Sequence, residues 1–227
     1  MELAHATWPE VEAAAANTVL AVPLGSCEQH GPHLPLSTDT VIATAVVGAV
    51  AQRLPHVVPT PALAFGASGE HADFAGTLVV GHGILAEVLS EVVRSARRSC
   101  RGVLVVNGHG GNGEALAMVE ERSGAEGDDV VVWHVSVPGG DAHAGRTETS
   151  LMLALCPERV HMERAEAGCT ESLRTLAPRL RAEGVRRVSS NGVLGDPIGA
   201  TATEGHALFG ALVDQCAAAV SARWTES

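Results

Sequence analysis

The sequence predicts an α/β fold of three layers, α/β/α, with helices covering both faces of a mostly parallel central sheet. Three observations point to it. Short β-branched runs alternate with longer Ala- and Leu-rich segments of helical periodicity, the pattern of repeated strand–helix–strand crossovers. One run, Val103–Val106 (VLVV), is apolar without interruption, as a strand buried on both faces should be. The polar, glycine-rich stretches follow successive strand candidates, at the sheet edge where such folds place their ligands. With 227 residues, 46% apolar and 18% charged, the chain suits a single domain, residues 1–227, with a sizeable core.

The elements follow in order. Thr18–Pro23 (TVLAVP) reads as the first strand. Residues Thr40 to Leu54 have helical spacing, with Thr38 or Asp39 available as N-cap. Val57 to Leu63 (VVPTPAL) is a second strand whose prolines make it irregular or an edge. His82 to Arg98 is a helix with Leu85, Val88, Leu89, Val92 and Val93 on its apolar face. The VLVV strand ends in NGHGGN, and a helix follows over Glu114–Arg122. Val130–Val137 is a further strand, then PGGDAHAGRTETS and a helix to about Leu155. The last element is a helix from about Thr203 to Trp224.

Several function classes are disfavoured. A net charge of −11 without a Lys/Arg cluster argues against nucleic acid or an anionic membrane as partner. No apolar run approaches the ~18 residues of a membrane span. The opening residues lack a basic n-region, so no secretory signal is expected. Five scattered cysteines (27, 100, 156, 169 and 216) without a C-x-x-C suggest reduced thiols and a cytoplasmic location.

Chemistry concentrates in four loops: EQHGPHLPLSTD, GASGEHADFAGT, NGHGGN and GGDAHAGRTETS. Glu28 and His30, one residue apart, point the same way in an extended segment. Asp39 lies eleven residues after Glu28, where loop turns to helix, and its two oxygens can each serve one cation. His109 sits between glycines that allow close approach. Any one of these histidines is most simply a loop residue making turn hydrogen bonds; their convergence on one sheet edge is what suggests a site. Oxygen and imidazole donors without thiolates suit Zn²⁺, Mn²⁺ or Fe²⁺ in a catalytic centre. The rival of another class is a binding protein holding a structural or sensory metal with no open coordination position.

The blocks P-x-G-S-x-E-Q-H-G-P-H-L-P-L-x-T-D, G-x-S-x-E-H, N-G-H-G-G-N, H-A-G-x-x-E-T-S and G-D-P-x-x-A-T-A-x-E-G together resemble the creatininase family, from about Val19 to Gly205. Within it, PLGSCEQHGPHLPLSTDT, FGASGEHADFAGT, PGGDAHAGRTETS and GVLGDPIGATATEG resemble the branch of creatininase-type peptidases of mycofactocin biosynthesis. The resemblance implies a metal-dependent amidohydrolase with an α/β fold, a homo-oligomer, and two divalent cations per subunit. One cation would be held by Glu28, Asp39 and His109. The other would be held by His30, Asp39 and a further carboxylate. In creatininase that carboxylate lies two residues after the N-G-H histidine, where this chain has Gly111. Glu148 is the substitute chosen here, as ligand, as general base or both, with Glu114 a weaker candidate.

His143 matches a family histidine placed to pass a proton to the leaving amine; the alternative is that it only orients a ligand. Glu70 and His71 are read as outer contacts of the centre, substrate contacts, or structural residues. His33 is expected to shape its loop, Asn107 and Asn112 to pin turns, and Cys27 to face away. Arg146 is either a partner for a substrate carboxylate or a plain surface arginine. The branch implies a modified precursor peptide as substrate, losing its C-terminal cross-linked Val–Tyr dipeptide. Other family activities, hydrolysis of creatinine and of a formamidopyrimidine, use the same chemistry.

Overall fold

A computed structural model describes residues 1–224; the last three residues of the 1–227 domain lie outside the described residues. The sheet is built from β1 (Val19–Leu24), β2 (Val57–Pro59), β3 (Gly102–Asn107) and β4 (Val130–His134), in the order β2-β1-β3-β4. All three pairings are parallel, and β1 and β3 run side by side over their full length, Val19 opposite Gly102 and Leu24 opposite Asn107.

Alternation along the central strands divides the core in two. Val19 and Ala21 of β1, with Leu104 and Val106 of β3, face α2 (Thr38–Arg53), α5 (Arg146–Leu155) and α8 (Ala202–Arg223). Leu20, Val22, Leu24, Val103 and Val105 face α3 (His82–Ala96) and α4 (Gly113–Glu126). Both faces of β1 and β3 are therefore dry, which is why those strands lack polar alternation. The three-layer expectation agrees with this arrangement.

Connectivity creates the crevice. The chain leaves β1 through α2 towards β2, but leaves β3 through α4 in the opposite direction, towards β4. Crossovers of one hand that run in opposite directions put their helices on opposite faces. The loops after β1 and β3 thus part above the sheet, the usual place for a ligand.

The differences from expectation have local causes. β2 pairs only over Val57–Pro59; Pro59 and Pro61 lack donors, and the chain touches β1 again through an isolated bridge at Leu63. β4 stops at His134 instead of Val137, because its partner β3 ends at Asn107, opposite His134. Neither Thr38 nor Asp39 is the N-cap of α2. Ser37 is, while the Thr38 hydroxyl donates to Pro35 O at 2.7 Å and Asp39 lies inside the first turn. Val88 projects from the exposed side of α3, whose buried stripe is Leu85, Ala86, Leu89, Ser90, Val93 and Ala96.

The helices α1 (Trp8–Ala14), α6 (Leu173–Glu183) and α7 (Val185–Val188) are additional to those expected. Pro178 inside α6 removes a helical donor and hides the element from a periodicity search.

Candidate metal centre and active site

Four segments meet beyond the carboxyl ends of β1 and β3. Glu28, Gln29 and His30 follow β1, His109 follows β3, and the first turn of α2 carries Asp39. His143 and Glu148 come from the loop into α5 and from its first turn. A helix N-terminus favours the ionised form of Asp39.

The two oxygens of Asp39 face different neighbours. Oδ1 lies 3.1 Å from His30 Nε2. Oδ2 accepts from the Ser26 hydroxyl at 2.6 Å and lies 3.4 Å from His109 Nδ1. His109 Nδ1 is also 3.1 Å from Glu28 Oε1. On the His30 side, Glu148 Oε2 stands 3.9 Å from Nε2 and accepts the Ala144 N–H at 2.6 Å. Ala144 adopts a left-handed conformation, φ 51°, uncommon for a non-glycine residue and found where a site requires it.

Among the described residues, three trios bring potential metal donors within 4.8 Å of one another: Glu28, Asp39 and His109; His30, His143 and Glu148; and Glu28, His71 and His143. Glu28 is fully buried, and neither carboxylate oxygen receives an aligned hydrogen bond. A buried carboxylate without a donor is expensive. Histidine nitrogens of His109, His71 and His143 surround its Oε1 at 3.1, 3.5 and 3.8 Å. A divalent cation fits this donor set, which is carboxylate and imidazole without thiolate.

The charges respond to one another. Burial opposes a charge on His30, but Asp39 raises its pKa to about 10. Burial likewise opposes His109, yet Glu28 and Asp39 lift it to about 9. Asp39, despite its burial, is held at about 2 by His30 and His109. Burial lifts Glu148 to about 7 against the pull of His30. His143 lies well below the usual histidine value through burial and the neighbouring His30 and His71, so its ring is neutral.

Gly111 has no room for a side chain. A Cβ there would stand 2.3 Å from His109 Nε2 and 2.6 Å from both Ala67 O and Glu70 Oε1. The Glu70 carboxylate thus occupies the space beside His109, 3.9 Å from Nε2. It lies on the far side of that ring from Asp39, whereas Glu148 lies beside His30. Glu114 is exposed and turns to His82 at 3.9 Å, away from the centre.

The remaining candidates separate clearly. Cys27 Sγ points to Gly76 O at 3.6 Å, on the outer side of its segment. His33 ties the first loop to α5 through Thr149 Oγ1 at 2.9 Å. Asn107 accepts the His109 N–H at 3.3 Å and donates to His109 O at 2.7 Å; Asn112 accepts the Ala67 N–H and donates to Gly25 O. Arg146 is committed to Glu204, with Nε–O distances of 2.8 and 3.0 Å, and is not directed at a ligand. His71 comes closer than the sequence reading placed it. Gln29, which that reading passed over, contacts both His71 and His143. A cleft of about 620 Å³ opens beside the centre, lined in part by His109, His134, Asp141, Thr147, Glu148 and Asp196. Glu148 reaches it with 23% of its side chain exposed.

Comparison with known proteins adds the following. A family profile described as creatininase, creatinine amidohydrolase, matches residues 4–220. Curated relatives named mycofactocin precursor peptide peptidase include one from Mycobacterium ulcerans, 48% identical over 96% of this chain and 87% of its own length. Another, from Mycolicibacterium smegmatis, is 46% identical over 91% of this chain and 85% of its own. A solved creatinine amidohydrolase (creatininase) has TM-score 0.81 at 26% identity, covering 99% of this chain and 98% of that one. Similar creatininase structures include one titled as a Mn form and a mutant titled as Zn-Zn type.

Proposed function

The chain belongs to the creatininase family, and from that premise we propose that it is a metal-dependent peptidase acting on the modified mycofactocin precursor peptide. On this reading it releases the C-terminal cross-linked Val–Tyr dipeptide for assembly of a redox cofactor. The chemistry rests on one observation: buried Glu28, with both oxygens unpaired, faces histidine nitrogens beside an open cleft. The choice of substrate rests on relatives of that name at 46–48% identity.

We assign one cation to Glu28, Asp39 and His109 and the other to His30, Asp39 and Glu148. Bound divalent cations supply Lewis acidity for the scissile carbonyl and acidify the attacking water. The rest belongs to the chain. Glu148, open to the cleft with 23% of its side chain exposed, is placed to take and return a proton through whichever oxygen is not committed to the cation. Neutral His143 offers a ring nitrogen for passing that proton to the leaving amine. The cleft admits an extended peptide segment beside these groups. A homo-oligomer working in the cytoplasm completes the proposal; no described helix is long and apolar enough to cross a membrane.

Incubation of metal-loaded protein with the modified peptide, followed by mass spectrometry, should show loss of the dipeptide. Intact peptide with hydrolysis of creatinine or a formamide would move the chain to another branch of the family. Hydrolysis of none of the three would favour the metal-binding rival.

A further inference from the structure

Gln29 sits among the donor atoms without being a candidate ligand. Its side-chain orientation is set by two backbone groups: Oε1 accepts the Gly31 N–H at 2.9 Å, and Nε2 donates to Gly192 O at 3.0 Å. Reversing the amide would lose both bonds. Gly192 has φ +82°, and a Cβ there would stand 1.8 Å from Gln29 Oε1, so the amide is held closely.

The protons on two histidines follow from their partners, that of His143 from the Gln29 main chain and that of His71 from the fixed amide. His143 Nε2 lies 2.8 Å from the Gln29 backbone carbonyl, which only accepts, so Nε2 carries the proton. Its Nδ1, 3.8 Å from Glu28 Oε1, is the free lone pair. His71 Nδ1 lies 2.8 Å from Gln29 Nε2, which only donates. That nitrogen must be the acceptor, and in the neutral ring the proton is on Nε2, which faces Glu28 Oε1 at 3.5 Å. The two amide hydrogens are then used on Gly192 O and His71 Nδ1. The 3.1 Å approach of Gln29 Nε2 to His143 Nε2 is a bystander.

We propose that Gln29 is a positioning residue that orients the two histidines in opposite senses, so that His143 turns a lone pair towards the centre while His71 turns a proton towards Glu28. His71, buried and within reach of a metal-like trio, is thereby barred from binding a cation and instead presents a neutral N–H on the Oε1 side of Glu28, 3.5 Å away. Geometry alone would allow Glu28, His71 and His143 to form a third site; the Gln29 amide closes it. The inference rests on the reading of Glu28 as a metal ligand but not on the choice of substrate.

The test uses ring-nitrogen NMR of histidine-labelled, metal-free protein at about pH 8, and metal content after loading with Zn²⁺. In the unmodified protein His71 should be the Nε2–H tautomer; an Nδ1–H tautomer overturns the proposal. Gln29→Glu replaces the donor with an acceptor that holds an Nδ1–H, the carboxylate–histidine arrangement typical of metal ligands. His71 should then switch to Nδ1–H, and the protein should bind Zn²⁺ about 10-fold tighter or take up one more equivalent. A His71 that keeps its tautomer in Gln29→Glu, or Zn²⁺ binding unchanged in amount and affinity, overturns it. Neither readout involves peptide hydrolysis, so its failure is distinct from failure of the substrate assay.

Discussion

Replacing Asp39 with alanine should empty both proposed cation sites, whereas replacing Glu148 should empty one. Asp39 Oδ1 faces His30 and Oδ2 faces His109, so a single substitution removes one of three protein donors from each site. Loss of a hydrogen-bond partner behind a ligand already costs up to about 100-fold in affinity. Loss of the ligand itself should cost at least that, about 2.8 kcal/mol per site. Of the three residues assigned to the first cation, none is Glu148, whose approach is to His30 of the second, at 3.9 Å. Metal content measured by mass spectrometry after desalting should therefore fall from about two per chain to near zero in Asp39→Ala and to about one in Glu148→Ala. Glu114→Ala, altering an exposed carboxylate, should retain the full amount. Asp39→Ala also strands His30, a loss of about 3–5 kcal/mol for a broken buried pair. Asp39→Asn, of the same shape, and a thermal melt separate unfolding from metal loss. Equal metal loss from folded Asp39 and Glu148 variants would refute the division of ligands.

Cation binding should release protons. In the metal-free protein His30, raised to about 10, and His109, raised to about 9, are protonated at neutral pH. Their contribution to stability is complete below the unfolded histidine value of about 6.5 and is lost as pH rises through the folded values. A cation needs both rings deprotonated, so its affinity should climb with pH up to about 9–10, with up to about two protons released per chain at pH 8. Titration calorimetry in buffers of different ionisation enthalpy measures this, and zero release would contradict it. Arg146→Ala should leave the KM for peptide within about 3-fold and cost under about 1 kcal/mol of stability, because its partner is the surface Glu204. A rise in KM of tenfold or more would restore it as a substrate contact.

What the sequence discloses depends on how local the cause is. β1 and β3 are legible because continuous apolar runs mark strands covered on both faces. The edge strands stop short of their apolar runs, because their ends are set by neighbouring strands and not by their own residues. α6 was hidden by Pro178, and Val88 shows that apolar character does not place a residue on the buried stripe. In the site, the loops and their order pointed to Glu28, His30, Asp39 and His109. Gln29 could not be found that way. The partners of its amide lie 42 and 163 residues further along the chain, and nothing in its own segment marks that amide as the arbiter of the His71 proton.

The crowding at Gly111 restricts how this centre can change. A carboxylate introduced there would run into Glu70, His109 and the Ala67 carbonyl at once. The arrangement found here and the one with an acid at that position are therefore separated by a gap that no single substitution crosses. The Ala67 backbone and the His109 ring would have to shift in the same step, whatever stands at position 70. In a relative with an acid at position 111, the segments around Ala67 and His109 should therefore lie further apart than they do here, moving as one unit.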